Sequence, residues 1–437
     1  MVNKFIEAMF LSKKPQAEIV HKITLKLMFD FHFLTIECEK QNEIYVYENG
    51  IYSGEGRKII KEQSEIIMGR YCKMNTVNEI ISKIERSTYV SRDKLNAVAL
   101  EEICLENGVL NMLTNKLTPH THEKIFIRKL PIIYNPKVES KKFMKFIEET
   151  LYEKDLDVCQ EWLGFLLWKR YHEKKALICI GQTNTGKTVF LKSIENFLGT
   201  NNISAVDLHE MGSDKFATEN LYKKFANIND ELTSDDLKDA TKFKKLTGRS
   251  ILTAEPKFKS KFSFENYAKL IFATNKMPAL KGTIEDPESY YSRWIVFLFD
   301  NKIDKNDKKI NKNLIDEICV PKEMSGVLNW ALVGLKRLLK NKKFSCGMSW
   351  EEVERIMKSN GESVFSFVAD VVSEGEEFVS NGDLYNIYVD YCELNNKISE
   401  NNITFGKKFK PRFGKRINDG KRNGWGEIKL EKMLIKL

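Results

Sequence analysis

The stretch ALICIGQTNTGKTVFLKSIENFLG, residues 176–199, constrains the fold of this chain more than any other. Five apolar residues read as a strand and run into the pattern G-x-x-x-x-G-K-[ST], Gly181 to Thr188, and a helix follows. A strand–loop–helix of this kind is a phosphate loop. Its glycines shape the turn, its backbone N–H groups face phosphates, its lysine reaches the β/γ-phosphates and its hydroxyl reaches Mg²⁺. Gly181, Gln182, Thr183, Asn184, Thr185, Gly186, Lys187 and Thr188 are therefore the candidate ATP-binding residues. The loop does not say what hydrolysis drives, because kinases, pumps, packaging motors and helicases all use it.

The context narrows the choice. From 174 to 300, short apolar strands alternate with helices, which predicts a mostly parallel sheet. The strands are ALICI (176–180), FANIN (225–229), KLIFAT (269–274) and WIVFLF (294–299). Asp230-Glu231 ends the second of these, an arrangement that suits one carboxylate on Mg²⁺ and one as base for the attacking water. Asn275 stands just beyond the third, where an amide can orient that water or report on the γ-phosphate. Arg293 begins the fourth, and its fixed charge and forked donors suit it to reach a phosphate across a subunit boundary. Alone, it would read as an ordinary surface arginine.

The compact order Lys187, Asp230-Glu231, Asn275, Arg293 resembles that of the superfamily 3 helicases, AAA+ motors of viruses, phages and plasmids. More narrowly, the chain resembles the poxvirus D5 and phage P4 primase-type helicase family. IYVYENGIY, ENGVLNMLTNKLTPHT and LPIIYNP are similar to the D5 N-type domain that precedes the motor there. FKKLTGRSILTAEPKFKSKFSFENYAKLIFATNKMP and SGVLNWALVGLKRLL are similar to later parts of the motor. The chain departs from the pattern at Arg249-Ser250, where an acidic residue is frequent, and at Glu255, where a basic one is common. The resemblance implies that Lys187 and Thr188 hold the phosphates and Mg²⁺, Asp230 coordinates Mg²⁺ and Glu231 activates water. It also implies that Asn275 is the sensor and Arg293 a finger entering a neighbour's site. Such a finger requires an oligomer, and the family's habit is a hexameric ring around one DNA strand, moving 3′ to 5′.

Two basic segments are candidates for holding DNA. PKFKSKFSF alternates Lys257, Lys259 and Lys261 with Phe258, Phe262 and Phe264, which strand spacing would place on opposite faces of a hairpin. Lysines there suit a grip on phosphates that carries no sequence information; the plainer alternative is a solvated basic strand. Phe262 and Phe264 read as core, and Phe258 joins the DNA-contact set. Further on come ESVFSFVADVV, NGDLYNIYVDYCELN and ITFGKKFKPRF as helices, then GKRINDGKRNGWGEIKL as a basic hairpin. That order suits a winged helix-turn-helix. Within it, residues 405–423 hold Lys407, Lys408, Lys410, Arg412, Lys415, Arg416, Lys421 and Arg422 against one acid, Asp419. A solvated tail is the alternative, and Pro411 would end the third helix early.

The fold expected is therefore multidomain α/β. A tail (1–15) precedes a mixed α+β D5 N-type domain (16–155), then a superfamily 3 AAA+ core (156–320). A helical segment closing the motor (321–360) and a winged-helix domain (361–437) complete the chain. Within the first domain, Ile19, Ile23, Leu27 and Phe31 mark a helix, Asn49-Gly50 a hairpin, residues 58–104 helical text, Asn107-Gly108 a second hairpin, and 140–172 helix again. A net charge of +9 is only a faint hint of a polyanionic partner, so the clustering of the charge carries more weight. The eight cysteines form no C-x-x-C pair and read as reduced thiols. No signal peptide or membrane-length apolar segment is present, so a soluble, cytoplasmic protein is expected.

The function expected is an ATP- and Mg²⁺-dependent replicative DNA helicase of a mobile element. Its expected partners are single-stranded and forked DNA, further copies of itself, and a separate primase or polymerase. With the D5-type region starting near residue 16, no primer synthesis is expected of this polypeptide alone. The rivals are an ATP-switched origin-binding initiator and a packaging or partner-remodelling ATPase.

Overall fold

The computed structural model describes residues 4–430 except 40, 96, 208–209, 211–216, 233–239, 256–260, 276–285, 301–310, 312, 362, 396–398, 411–415 and 419–421. The tail expected before residue 16 contains a helix, Lys4–Leu11, whose Met9 enters the first core. Helix Gln16–Asp30 buries Ile19, Ile23 and Leu27, and Phe31 falls just past its end. The Asn49-Gly50 hairpin forms as expected, joining Glu43–Glu48 to Ile51–Ser53. With Phe33–Ile36 and Tyr89–Val90 these strands make a four-stranded sheet, in which only the last pairing is parallel.

The helical text expected over 58–104 stops earlier. Helices Gly56–Met68 and Met74–Ser87 are followed by strand Tyr89–Val90, and Glu102–Leu105 is also a strand. Thr88 explains the first ending: its hydroxyl donates to Ile84 O at 2.8 Å, and its backbone is no longer helical. The second element betrays itself by period. Ile103 and Leu105 enter one hydrophobic cluster while Cys104 enters another, the alternation of a strand covered on both faces. Glu102–Leu105, Gly108–Asn111 and Lys116–Thr118 form an antiparallel meander, one strand more than the expected hairpin.

The central sheet is wholly parallel. Its order is Trp294–Leu298, Ala176–Ile180, Lys269–Thr274, Ala226–Asn229, Ile203–Ser204. Four strands match the expected ones within a residue at each end; the short edge strand Ile203–Ser204 was not foreseen. Alternate residues face two cores. Leu177, Cys179, Ile271, Ala273, Ile295 and Phe297 join the cluster containing Phe190 and Ile194 of the helix after the loop. Ile178, Leu270, Phe272 and Val296 join the one containing Phe243 and Tyr290.

Helix Pro321–Asn341 crosses helix Glu153–Leu167 closely. A Cβ on Gly334 would lie 2.3 Å from Gln160 O, so no larger residue permits this approach. Beside the crossing, the fully buried Glu161 accepts from Arg337 Nε at 2.6 Å, Ser345 Oγ at 2.7 Å and Ser345 N at 2.8 Å.

The last unit has its own core of Phe367, Tyr388, Phe405, Phe409 and Trp425. Helix Ser363–Val371 leads into strand Val372–Ser380, then helices Asn381–Leu394 and Asn402–Phe409. Strands Arg416–Asn418 and Asn423–Leu430 complete an antiparallel sheet in which Asn423–Leu430 is central. The strand between the first two helices is an addition to the expected order. Among the described residues, no helix is long and apolar enough to cross a membrane.

Candidate nucleotide site

Three of the parallel strands end at the same edge of the sheet, which is where open α/β sheets place ligands. The loop after Ala176–Ile180, the acidic pair after Ala226–Asn229 and Asn275 after Lys269–Thr274 line one cavity of about 660 Å³. Residues 183–188, Asp230, Glu231 and Asn275 all contribute to it. Gly181 and Gln182 lie outside the lining.

The loop is shaped by two left-handed residues, Asn184 at φ +65° and Gly186 at φ +96°. Gly186 caps helix Lys187–Leu198, and a side chain there would be strained by the backbone angle. The helix therefore opens with its first N–H groups directed at the cavity, a ready anion site. Thr185 Oγ1 donates to Gln182 O at 2.8 Å and ties the turn together. Lys187 Nζ donates to the carbonyl oxygens of Gly181 and, at 2.7 Å, Gln182. Burial pushes the pKa of Lys187 below the usual lysine value, and no described carboxylate lies within ion-pair distance of it. A lysine ammonium with no carboxylate partner beside the first N–H groups of a helix is well matched to phosphate oxygens. Thr188, next along, is exposed at the rim.

Two asparagines of the strand Ala226–Asn229 organise the acidic side. Asn227 is fully buried and exchanges two 2.9 Å hydrogen bonds with the main chain of Val206, donating to its carbonyl and accepting from its N–H. Asn229 donates to Asp207 and accepts from Glu231 N at 2.9 Å. Together they fasten the acidic pair to the edge strand's exit. Their signal was present in FANIN: polar residues in a strand with no exposed face. Asp230 and Glu231 themselves are exposed to the cavity.

Mg²⁺ keeps several waters and phosphate oxygens and needs only one or two protein ligands. The Thr188 hydroxyl and the Asp230 carboxylate on one cavity wall fit that need. Among the described residues, no group of three or more His, Cys, Asp or Glu could hold a metal by itself.

Arg293 is not at this cavity. It precedes strand Trp294–Leu298, at the opposite edge of the sheet. Its guanidinium donates to Ser289 O at 3.0 Å, Thr247 Oγ1 at 3.0 Å and Lys244 O at 3.3 Å.

The hairpin between acidic pair and Asn275 exists as Ile251–Ala254 paired with Phe262–Glu265. Phe264 is buried and Phe262 half-buried, while Lys261 is exposed and pairs with Glu255 at 3.1 Å. Lys257, Phe258 and Lys259 lie outside the described residues. In the last unit Lys407 and Lys410 are exposed, Lys408 pairs with Glu400 at 2.7 Å and Arg422 with Asp383 at 3.6 Å. Arg416 lies on a described strand. Arg412, Lys415 and Lys421 lie outside the described residues.

Residues 18–152 match the family described as "D5 N terminal like". This part of the chain is therefore similar to a D5-type N-terminal region. Residues 179–293 match a family of unknown function (DUF5906), a span running from the loop's strand to Arg293. No curated protein sequence matches the chain. Among solved structures, the apo structure of NrS-1 C terminal region (305-718) shares 13% identity at a TM-score of 0.51, covering 93% of this chain and 98% of that one. Two A-form apo structures of the same region give TM-scores of 0.47 and 0.44 at 12% and 15% identity, each covering 93% of this chain and 99% of that one. At such identities the likeness is one of fold alone.

Proposed function

We propose that the chain is an ATP-dependent DNA helicase of the superfamily 3 AAA+ type, serving replication of a phage, virus or plasmid-type element. The observation that carries this reading is the convergence of Lys187, Asp230-Glu231 and Asn275 on one cavity at the carboxyl edge of a parallel sheet. The D5-type region at residues 18–152 supports the replicative assignment.

Bound there, Mg²⁺ would offset phosphate charge. Lys187 and the helix N–H groups would hold the β/γ-phosphates, Thr188 and Asp230 would face the metal, and Glu231 would take the proton from the attacking water. Asn275 would orient that water. Arg293, at the far edge from its own cavity, would serve only a neighbour's site, which favours a ring, taken as hexameric and moving 3′ to 5′. To do so its guanidinium must exchange the contacts with Ser289, Thr247 and Lys244 for phosphate oxygens. Lys261 and its hairpin neighbours would grip the translocating strand. The helix–strand–helix–helix–hairpin order of residues 363–430, with Lys407 and Lys410 exposed, supports a winged-helix contact with duplex.

That same unit favours one rival, an ATP-switched initiator that marks an origin without processive unwinding. ATP hydrolysis measured with and without single-stranded DNA tests the site. Stimulated turnover that Lys187→Ala abolishes is expected; turnover insensitive to Lys187→Ala would remove the assignment.

A further inference from the structure

A second cavity, of about 540 Å³, lies at the other edge of the central sheet, between its strands' amino ends and the D5-type region. Arg92, Lys169, Arg170 and Lys223 line it, against the two acids Asp93 and Glu265. Glu265 is engaged by Arg249 at 3.4 Å, and Arg92 by Glu43 at 3.2 Å. Among the described residues no carboxylate lies within ion-pair distance of Lys169, Arg170 or Lys223. Lys169 instead donates to the carbonyl oxygens of Ala99 at 3.1 Å and Glu102 at 2.8 Å. Lys223 is held in the left-handed region at φ +56°, an unusual state for a lysine, and Arg128 Nε donates to its carbonyl at 3.1 Å.

Aromatic faces stand beside these cations. Tyr222 packs edge-on against Phe262 (4.8 Å) and Phe264 (5.2 Å), and the Arg92 guanidinium lies 4.9 Å over the Phe262 ring. Surplus positive charge beside aromatic rings is the composition that holds single-stranded nucleic acid: charges track the phosphates and rings stack bases.

We propose that this cavity binds a segment of single-stranded DNA, with Arg170 and Lys223 facing its phosphates and Tyr222 facing a base. The proposal rests on the DNA-motor reading and adds a contact point that the hairpin lysines do not supply. Its position gives it a mechanical path to the nucleotide. Phe262–Glu265 lines this cavity and continues through the buried Asn266 into strand Lys269–Thr274, whose other end carries Asn275. One strand, roughly 17 Å long at about 3.3 Å per residue, thus joins the two cavities.

The test uses the full chain and the double variant Arg170→Ala/Lys223→Ala, with Arg170→Ala alone as the milder change, since Arg170 is exposed. Binding of a fluorescein-labelled oligo-dT is followed by anisotropy over a salt series, alongside ATP hydrolysis without DNA and circular dichroism. Expected is about a tenfold weaker affinity for the double variant and a salt slope shallower by about 1.4, at roughly 0.7 per phosphate on single strands. The single variant should show about half that slope change, with DNA-free hydrolysis unaltered in both. Folded variants that bind oligo-dT like the wild type would overturn the site while leaving the motor reading intact. Loss of a fluorescent ATP analogue with oligo-dT binding retained would overturn the DNA assignment in favour of a nucleotide pocket. A wild-type chain that hydrolyses ATP but binds no oligo-dT would overturn both readings.

Discussion

The side-chain amide of Asn227 and the main chain of Val206 exchange two hydrogen bonds of 2.9 Å inside the sheet. A side chain thereby imitates a backbone ladder and continues the pairing where the edge strand Ile203–Ser204 has ended. Asn227→Ala leaves the Val206 N–H and C=O unpaired in a buried place, which costs about 1–3 kcal/mol per unsatisfied group. Urea unfolding should show a lowered midpoint, and ATP turnover should fall with it because Asp230-Glu231 loses its anchor. Asn227→Asp should be at least as damaging, since it keeps the acceptor but buries a charge.

On the proposed reading the two acids of the pair have different tasks, which mutants can separate. Glu231→Gln should retain nucleotide affinity within about threefold while hydrolysis falls by about 10²–10⁴, the usual contribution of a general base. Asp230→Asn should weaken Mg²⁺-dependent nucleotide binding as well as turnover. Equilibrium binding of a fluorescent nucleotide with and without Mg²⁺, set beside single-turnover hydrolysis, distinguishes the two.

Away from the site, Arg337→Ala should be among the more destabilising changes in the chain. It removes a partner from Glu161, which is fully buried at the crossing of helices Glu153–Leu167 and Pro321–Asn341. Breaking such a pair costs about 3–5 kcal/mol because a charge is left buried. Differential scanning calorimetry should show the loss in the transition assigned to the central core, and the Glu161→Gln/Arg337→Met pair should recover much of it.

Stability should also carry a signature of Lys169. Burial pushes its pKa down to about 7, against an opposing pull from Glu102 and a further downward push from Lys223. Between that value and about 10.4, the unfolded value, the unfolded chain binds a proton that the folded chain does not, so stability rises with pH across this window. Below pH 7 both states are protonated and the burial penalty is fully present. Lys169→Met should flatten the rise between pH 7 and 9 in denaturant titrations.

Much of the candidate site was legible because phosphate chemistry, where a chain uses it, forces local sequence. Gly186, Lys187 and Thr188 are adjacent in the chain and adjacent in space, and ALICI announces the strand that feeds them by an unbroken apolar run. What escaped was set by contacts distant in sequence. Lys269 opens KLIFAT and is fully buried, donating to Trp168 O with its Nζ 4.6 Å from the Phe165 ring. Burial pushes its pKa far down, a state that only the fold around it could reveal. The cations Arg92, Lys169, Arg170 and Lys223 lie on three separate segments, so no composition window gathers them. Nor did the sequence show that the Arg293 guanidinium donates to Ser289, Lys244 and Thr247.

Strand separation on a forked duplex tests the central claim most directly. Wild-type chain with ATP and Mg²⁺ should release the labelled strand, and Lys187→Ala and Glu231→Gln should both fail while remaining folded. ATP hydrolysis by the wild type with no strand release, on forks of either polarity, would contradict the helicase account and leave the ATP-switched initiator in its place.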